Sequence, residues 1–201
     1  MKIIIASSNQ GKIQEFNRMM ANNRFIELVP QEHLNIPVIE ETGKSFIENA
    51  LLKARNVFKN NDIKDAWVLA DDSGLEINHL NSKPGIYSAR YGNYDNSQDR
   101  NLAILKEMEG VEDRRARYCS SIVVLKSVDD ATPLHSYGFC YGEITEKMQG
   151  ENGFGYDPVF WLIQQQATMA QISATTKDHC SHRAKALKVI LQQIRQYRWN
   201  K

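Results

Sequence analysis

The sequence predicts an α/β fold built on a mixed sheet flanked by helices. Early in the chain, short β-branched runs alternate with helical periodicities; later, strand-like runs follow one another directly, which favours antiparallel pairing. The 201 residues, with 42% hydrophobic and 24% charged, suit one domain, or two lobes sharing one core. No repeat, low-complexity tract or linker interrupts them, so 1–201 reads as a single domain.

Ile3-Ile4-Ile5-Ala6 is apolar and β-branched and predicts a buried first strand. It runs into a small polar loop, Ser7-Ser8-Asn9-Gln10-Gly11-Lys12, then a helix carrying Ile13, Phe16, Met19 and Met20 on one side. Strand, small-residue loop and helix can aim backbone N–H groups at an anion. The spacing is not that of a Walker A loop, and the same pattern suits a plain connector. Phe25 to Val29 reads as a short edge strand at best, and Pro30 to Pro37 is turn-rich. Ser45 with Glu48 three residues on forms a capping box. It opens a helix to about Asn60 whose apolar face is Phe46, Ala50, Ala54, Val57 and Phe58. Lys53 reads as lying off that stripe, which locally favours a surface lysine in an i,i+4 pair.

Trp67-Val68-Leu69-Ala70 predicts a buried strand that stops at Asp71-Asp72, followed by Ser73 and Gly74. Adjacent carboxylates are costly in a core unless a cation or several donors meet them. The end of a strand in an α/β fold is also where ligands bind. The segment therefore predicts a site for Mg²⁺ and phosphate. Neighbouring strand residues point to opposite sides, so the two acids need not act together.

Leu75 to Asn78 alternates like a half-buried strand, Pro84-Gly85 marks a turn, and Tyr87 to Gly92 is a loop with aromatics and Arg90. Ser97 is expected to cap a helix with Leu102, Leu105 and Met108 inward. Ala116 to Leu125 is the best antiparallel strand, and Phe139 to Ile144 another, bounded upstream by Pro133. Glu151 to Pro158 combines glycines, aromatics and Asp157 in a loop that could stack a base or pack as a turn on the core. Val159 to Leu162 follows as a strand. In the final helix Ser181 is the expected cap, with Ala184, Leu187, Ile190, Leu191 and Ile194 on one face. His182 and Arg183 then sit at the positive end of the helix dipole. Either solvent absorbs that cost or an anion lies there, and Lys177 just upstream favours the anion.

A net charge of +1 provides no electrostatic footprint for duplex nucleic acid or an anionic membrane. The basic cluster Arg114-Arg115-Ala116-Arg117 suits phosphate contacts or a solvated strand end, and the second reading is favoured. Cys119, Cys140 and Cys180 are odd in number and lack a C-x-x-C pair, so reduced thiols are expected. No window approaches ~18 consecutive apolar residues. A soluble, cytoplasmic protein is expected.

Taken in order, six blocks resemble the inosine/xanthosine triphosphate pyrophosphatase family over nearly the whole chain. They are Ser8-Asn9-x-x-Lys12-x-x-Glu15, Glu41-Thr42-Gly43-x-Ser45-Phe46-x-Glu48-Asn49-Ala50 with Lys53-Ala54, and Leu69 to Leu75. The others are Pro84-Gly85-x-Tyr87-Ser88-Ala89-Arg90-Tyr91, Gly153 to Pro158 with Phe160, and Ser181-His182-Arg183-Ala184-x-Ala186-Leu187.

The resemblance implies an elongated α/β fold of two lobes with an active-site cleft between them, usually a homodimer. It implies Mg²⁺-dependent hydrolysis of deaminated purine nucleoside triphosphates (ITP, dITP, XTP) to the monophosphate and pyrophosphate. By the same resemblance Asp72 is the central acid, binding metal and handling the attacking water, with Glu41 as second metal ligand and Lys53 beside them. Ser7, Ser8, Asn9, Gln10, Gly11, Lys12, Lys53, Ser73 and Lys177 would hold the triphosphate. Phe154, Gly155, Tyr156, Asp157, His182 and Arg183 would hold the purine, while Asp71 braces the segment.

Hypoxanthine and xanthine offer an acceptor at O6 and a donor at N1, which His182 or Arg183 and a carbonyl or Asp157 could meet. Adenine reverses both groups, and such mismatches are rejected by roughly 10⁴-fold. Guanine shares this edge. Asn81-Ser82-Lys83 before Pro84, Trp161 to Ala167, and Gln171 depart from the family pattern without touching these residues. Competing readings are a pyrophosphatase for modified pyrimidine or methylated nucleotides, and a nucleotide sensor without turnover.

Overall fold

Ile3 to Ala6 and Val68 to Ala70 form unbroken apolar runs because helices cover both faces of the strands they build. The computed structural model describes residues 1–60, 63 and 65–199. Strand β1 (Lys2–Ile5) lies parallel to both β2 (Glu27–Pro30) and β3 (Ala66–Ile77). The short β4 (Lys83–Pro84) pairs antiparallel with the end of β3. Then follow β5 (Arg115–Leu125), β6 (Leu134–Ile144), β7 (Phe160–Leu162) and β8 (Ala167–Thr168). Among the described residues the strand order is β2-β1-β3-β5-β6-β7-β8. Parallel β1 pairs and antiparallel β6/β7 and β7/β8 pairs make the sheet mixed.

The chain divides into two compact units: Met1–Asp72, Ser120–Gly138 and Arg183–Lys201 form the first, Ser73–Cys119 and Phe139–His182 the second. In the first, Ile3, Ile5, Leu69, Ile122 and Val124 pack on helices α1 (Gln10–Met20) and α5 (His182–Trp199). The alternate positions, Ile4, Ala6, Val68, Ala70, Val123 and Leu125, pack on α2 (Phe46–Asn60). This is the two-residue period of a strand read out on two covered faces. The second unit has its own core, in which Ile104 and Met108 at the end of α3 (Ser97–Glu107) meet Leu75, Ile77, Tyr118 and Phe160.

Several local expectations are corrected. Strand β3 does not stop at Ala70 but runs through Asp71, Asp72, Ser73 and Gly74 to Ile77, because neighbouring donors satisfy the two carboxylates. Helix α1 begins at Gln10, so half of the expected loop is its first turn, capped by Asn9. The box at α2 is offset: Ser45 Oγ accepts from Glu48 N–H, but the Glu48 carboxylate takes the N–H of Lys44 rather than of Ser45. Asn96, not Ser97, caps α3. Leu102 faces outward at 48% exposed, and Ile104 takes the inward position. Strand β6 starts at Leu134, before Phe139. Lys177 lies within an extra helix, α4 (Ala174–Cys180), which Ser181 closes immediately before α5. No described helix is long and apolar enough to cross a membrane.

Candidate active site

The alternation along β3 continues through the acid pair and sends the two carboxylates to different helices. Asp71 follows Leu69 toward α1 and α5, whereas Asp72 follows Ala70 toward α2.

On the α2 side, Lys53 Nζ lies 2.9 Å from Asp72 Oδ1 and 2.9 Å from Glu41 Oε1. The i,i+4 surface pairing expected of Lys53 gives way to these longer-range bonds. Asp72 Oδ2 accepts from Asn49 Nδ2 at 3.2 Å. Burial pushes the Asp72 carboxyl above the ordinary Asp value; Lys53 and Lys12 pull it back only in part, and Glu41 adds to the rise. Burial also works against the Lys53 charge, but Asp72 and Glu41 outweigh it and raise that pKa. Two carboxylates meeting one cation is an arrangement of hard oxygens that suits Mg²⁺, which commonly takes one or two carboxylates with phosphate oxygens and waters. Glu41 and Asp72 would hold it.

On the other face, Asp71 is 1% exposed and fully engaged. It accepts from Lys12 Nζ at 2.8 Å, Ser120 Oγ at 2.5 Å and Arg183 Nε at 3.3 Å. Burial alone would raise its pKa, but Lys12 and Arg183 hold it far below the ordinary value. Arg183, 2% exposed, also pairs with Glu15 of α1 through Nη1. The guanidinium expected at the purine thus also bonds two buried carboxylates of the first unit, through Nη1 and Nε.

Of the first-loop residues, Ser7 is buried and accepts from Asn9 N–H at 3.1 Å; Asn9 Oδ1 accepts from Lys12 N–H at 3.1 Å. Ser8 and Asn9 are exposed, as is Gln10, which bonds Glu32; Gly11 and Lys12 are half-buried. The loop presents small polar groups to solvent, with two of its N–H groups already met by side chains.

In the second unit, Ser73 is half-buried on β3. Asp157, 2% exposed, accepts from Lys177 Nζ, from Phe154 N–H at 2.9 Å and from Tyr118 Oη at 3.3 Å. Gly153 has φ +76°, and a Cβ there would run into the Asp157 carboxylate, so glycine is required at this bend. Lys177 Nζ sits 4.7 Å from the centre of the half-buried Phe154 ring. His182 is buried and stacks on Tyr118 at 4.6 Å with an 8° interplanar angle. Gly155 is half-buried and its carbonyl accepts from Asn101. Buried Tyr156 donates to the Ser88 carbonyl at 2.8 Å, and its phenol pKa is raised by burial.

Sequence reasoning missed Asn49, Glu15, Ser120 and Tyr118 as members of these clusters. Asn49 could have been found: it lies three residues after Phe46, a polar group on an apolar helix face. Ser120 and Tyr118 carry no local signal, since only the pairing of β5 beside β3 brings Ser120 to Asp71, and only packing of the turn before β7 brings Asp157 to Tyr118.

Residues 3–193 match the model of the Ham1 family. The chain belongs to that family. Among similar proteins, the dITP/XTP pyrophosphatase of Photobacterium profundum is 42% identical over 197 residues, covering 96% of this chain and 98% of the relative. The dITP/XTP pyrophosphatase of Legionella pneumophila (strain Paris) is 45% identical over 189 residues, 92% of this chain and 94% of that one. A HAM1 protein from Coxiella burnetii has a solved structure that superposes with a TM-score of 0.88 at 36% identity, covering 98% and 99% of the two chains.

Proposed function

We propose that this Ham1-family chain is a nucleoside triphosphate pyrophosphatase that hydrolyses ITP, dITP and XTP to the monophosphate and pyrophosphate, cleansing the nucleotide pool. In this reading 1–201 is one catalytic domain, Mg²⁺ is required, and the enzyme works as a cytoplasmic homodimer. The observation that supports it most is the Lys53 ammonium held between Glu41 and Asp72.

Asp72 is the general base: its carboxylate, fixed by Lys53 on one oxygen and Asn49 on the other, is held to accept a proton of the attacking water as the α–β anhydride breaks. Lys53, kept charged by the same carboxylates, stabilises charge building on the phosphoryl oxygens. Mg²⁺ held by Glu41 and Asp72 would supply further charge neutralisation there. The Ser7–Lys12 segment, Ser73 and Lys177 are assigned to the phosphates, and Phe154, Gly155, Tyr156 and His182 to the purine. Asp157 and Arg183 we assign to holding these groups in place, because their charges are buried against Lys177 and against Glu15 and Asp71.

Product analysis tests the reading. ITP with Mg²⁺ should yield IMP and pyrophosphate, and a chelator should stop the reaction. IDP with orthophosphate, or turnover of ATP equal to that of ITP, would refute it.

A further inference from the structure

We propose that Asn49 is a positioning residue that sets the Asp72 carboxylate and the Glu41-bearing segment in one fixed relation. This rests on the hydrolase reading above. Asn49 lies on α2 and is 0% exposed. Its Nδ2 donates to Asp72 Oδ2 at 3.2 Å, and its Oδ1 accepts from Gly43 N–H at 2.8 Å. The amide's orientation follows from chemistry: Gly43 N–H can only donate and an ionised Asp72 can only accept. One side chain therefore ties β3 to Glu41-Thr42-Gly43. One helical turn on, Lys53 closes the same ring by bonding Glu41 and Asp72.

The fit leaves little slack. A Cβ on Gly43 would lie 2.6 Å from Asn49 Oδ1 and 2.9 Å from Asn49 N. A buried amide adds nothing to core packing that an apolar side chain would not, and it is costly unless both ends are bonded. What it adds here is rotation control: Asp72 Oδ2 is held by Asn49 while Oδ1 is held by Lys53. Misplacing a reacting group by about 1 Å costs on the order of 10²-fold in rate.

Two substitutions separate this from a purely structural role. Asn49→Asp keeps an acceptor for Gly43 N–H but turns an oxygen toward Asp72; Asn49→Ala removes both bonds. Each should lose at least about tenfold in kcat on ITP, with KM moving by less than ~threefold. In both, the rise in melting temperature on adding Mg²⁺ alone should shrink. A wild-type kcat in Asn49→Asp means the amide only holds the Gly43 turn and overturns the proposal, as does a loss confined to KM. If either variant fails to fold, Gly43→Ala crowds Asn49 without exposing a buried polar group; a wild-type kcat there also overturns it. Wild-type protein and Asp72→Asn run alongside. Absent pyrophosphate release from the former sinks the hydrolase reading itself, and the Mg²⁺-dependent melting shift then still tests Asn49; full turnover in the latter leaves hydrolysis standing but removes Asp72 from the central role and overturns the proposal.

Discussion

Replacing Arg183 by alanine distinguishes a base-reading arginine from a buried brace. The guanidinium is 2% exposed and joins Glu15 and Asp71, themselves 3% and 1% exposed. Its loss leaves Asp71 with Lys12 at 2.8 Å and Ser120 at 2.5 Å, but takes from Glu15 its guanidinium partner. Removing one member of a buried ion pair costs about 3–5 kcal/mol. At ~2–4 °C per kcal/mol for a chain of this size, the melting temperature should fall by about 6–20 °C. Arg183→Lys should recover only part of this, because Arg183 reaches Glu15 and Asp71 through two separate nitrogens, Nη1 and Nε, and a lysine offers a single one. The assay is thermal unfolding with steady-state rates on ITP and ATP. Activity should fall on both substrates together, leaving their ratio unchanged. A wild-type melting temperature combined with a collapsed ITP/ATP ratio would refute the bracing role and return Arg183 to the purine.

Two further outcomes test the packing. Ile104→Ala should destabilise by ~2–5 kcal/mol as a cavity opens in the second unit's core, whereas Leu102→Ala should stay within ~0.5 kcal/mol at its exposed site; urea titrations compare them, and equal costs would contradict the orientation of α3. Burial holds the His135 pKa below the ordinary value, so its folded form binds a proton more weakly than the unfolded chain. The stability it contributes is therefore full above the unfolded value of ~6.5 and is lost as pH falls through it toward the folded value. Denaturant unfolding at pH 7.5 and 5.5 should show a smaller drop for His135→Gln than for wild type, and an equal or larger drop would contradict the burial effect.

The sequence alone determined the α/β class, the mixed sheet and the main helices, because apolar periodicity is a local signal set by which face each element buries. It also singled out Asp71-Asp72, since paired acids after an apolar run have a physical cost wherever they lie. Local pattern misplaced the end of β3. It treated two carboxylates as a strand breaker, whereas Lys12, Lys53, Asn49, Ser120 and Arg183 supply the donors that let the strand continue. Those donors come from helices and a strand distant in the chain, so no window of sequence contains them. Local pattern showed the division of labour between the acids only as an alternation: the period of two says they face apart, but not what each face holds, which the family resemblance alone supplied. Tertiary packing decided that Asp71 meets Arg183 across α1 and α5, while Asp72 shares Lys53 with Glu41 beside α2. The reason is that charge satisfaction inside a protein is a property of assembled neighbours, and only the folded chain assembles them.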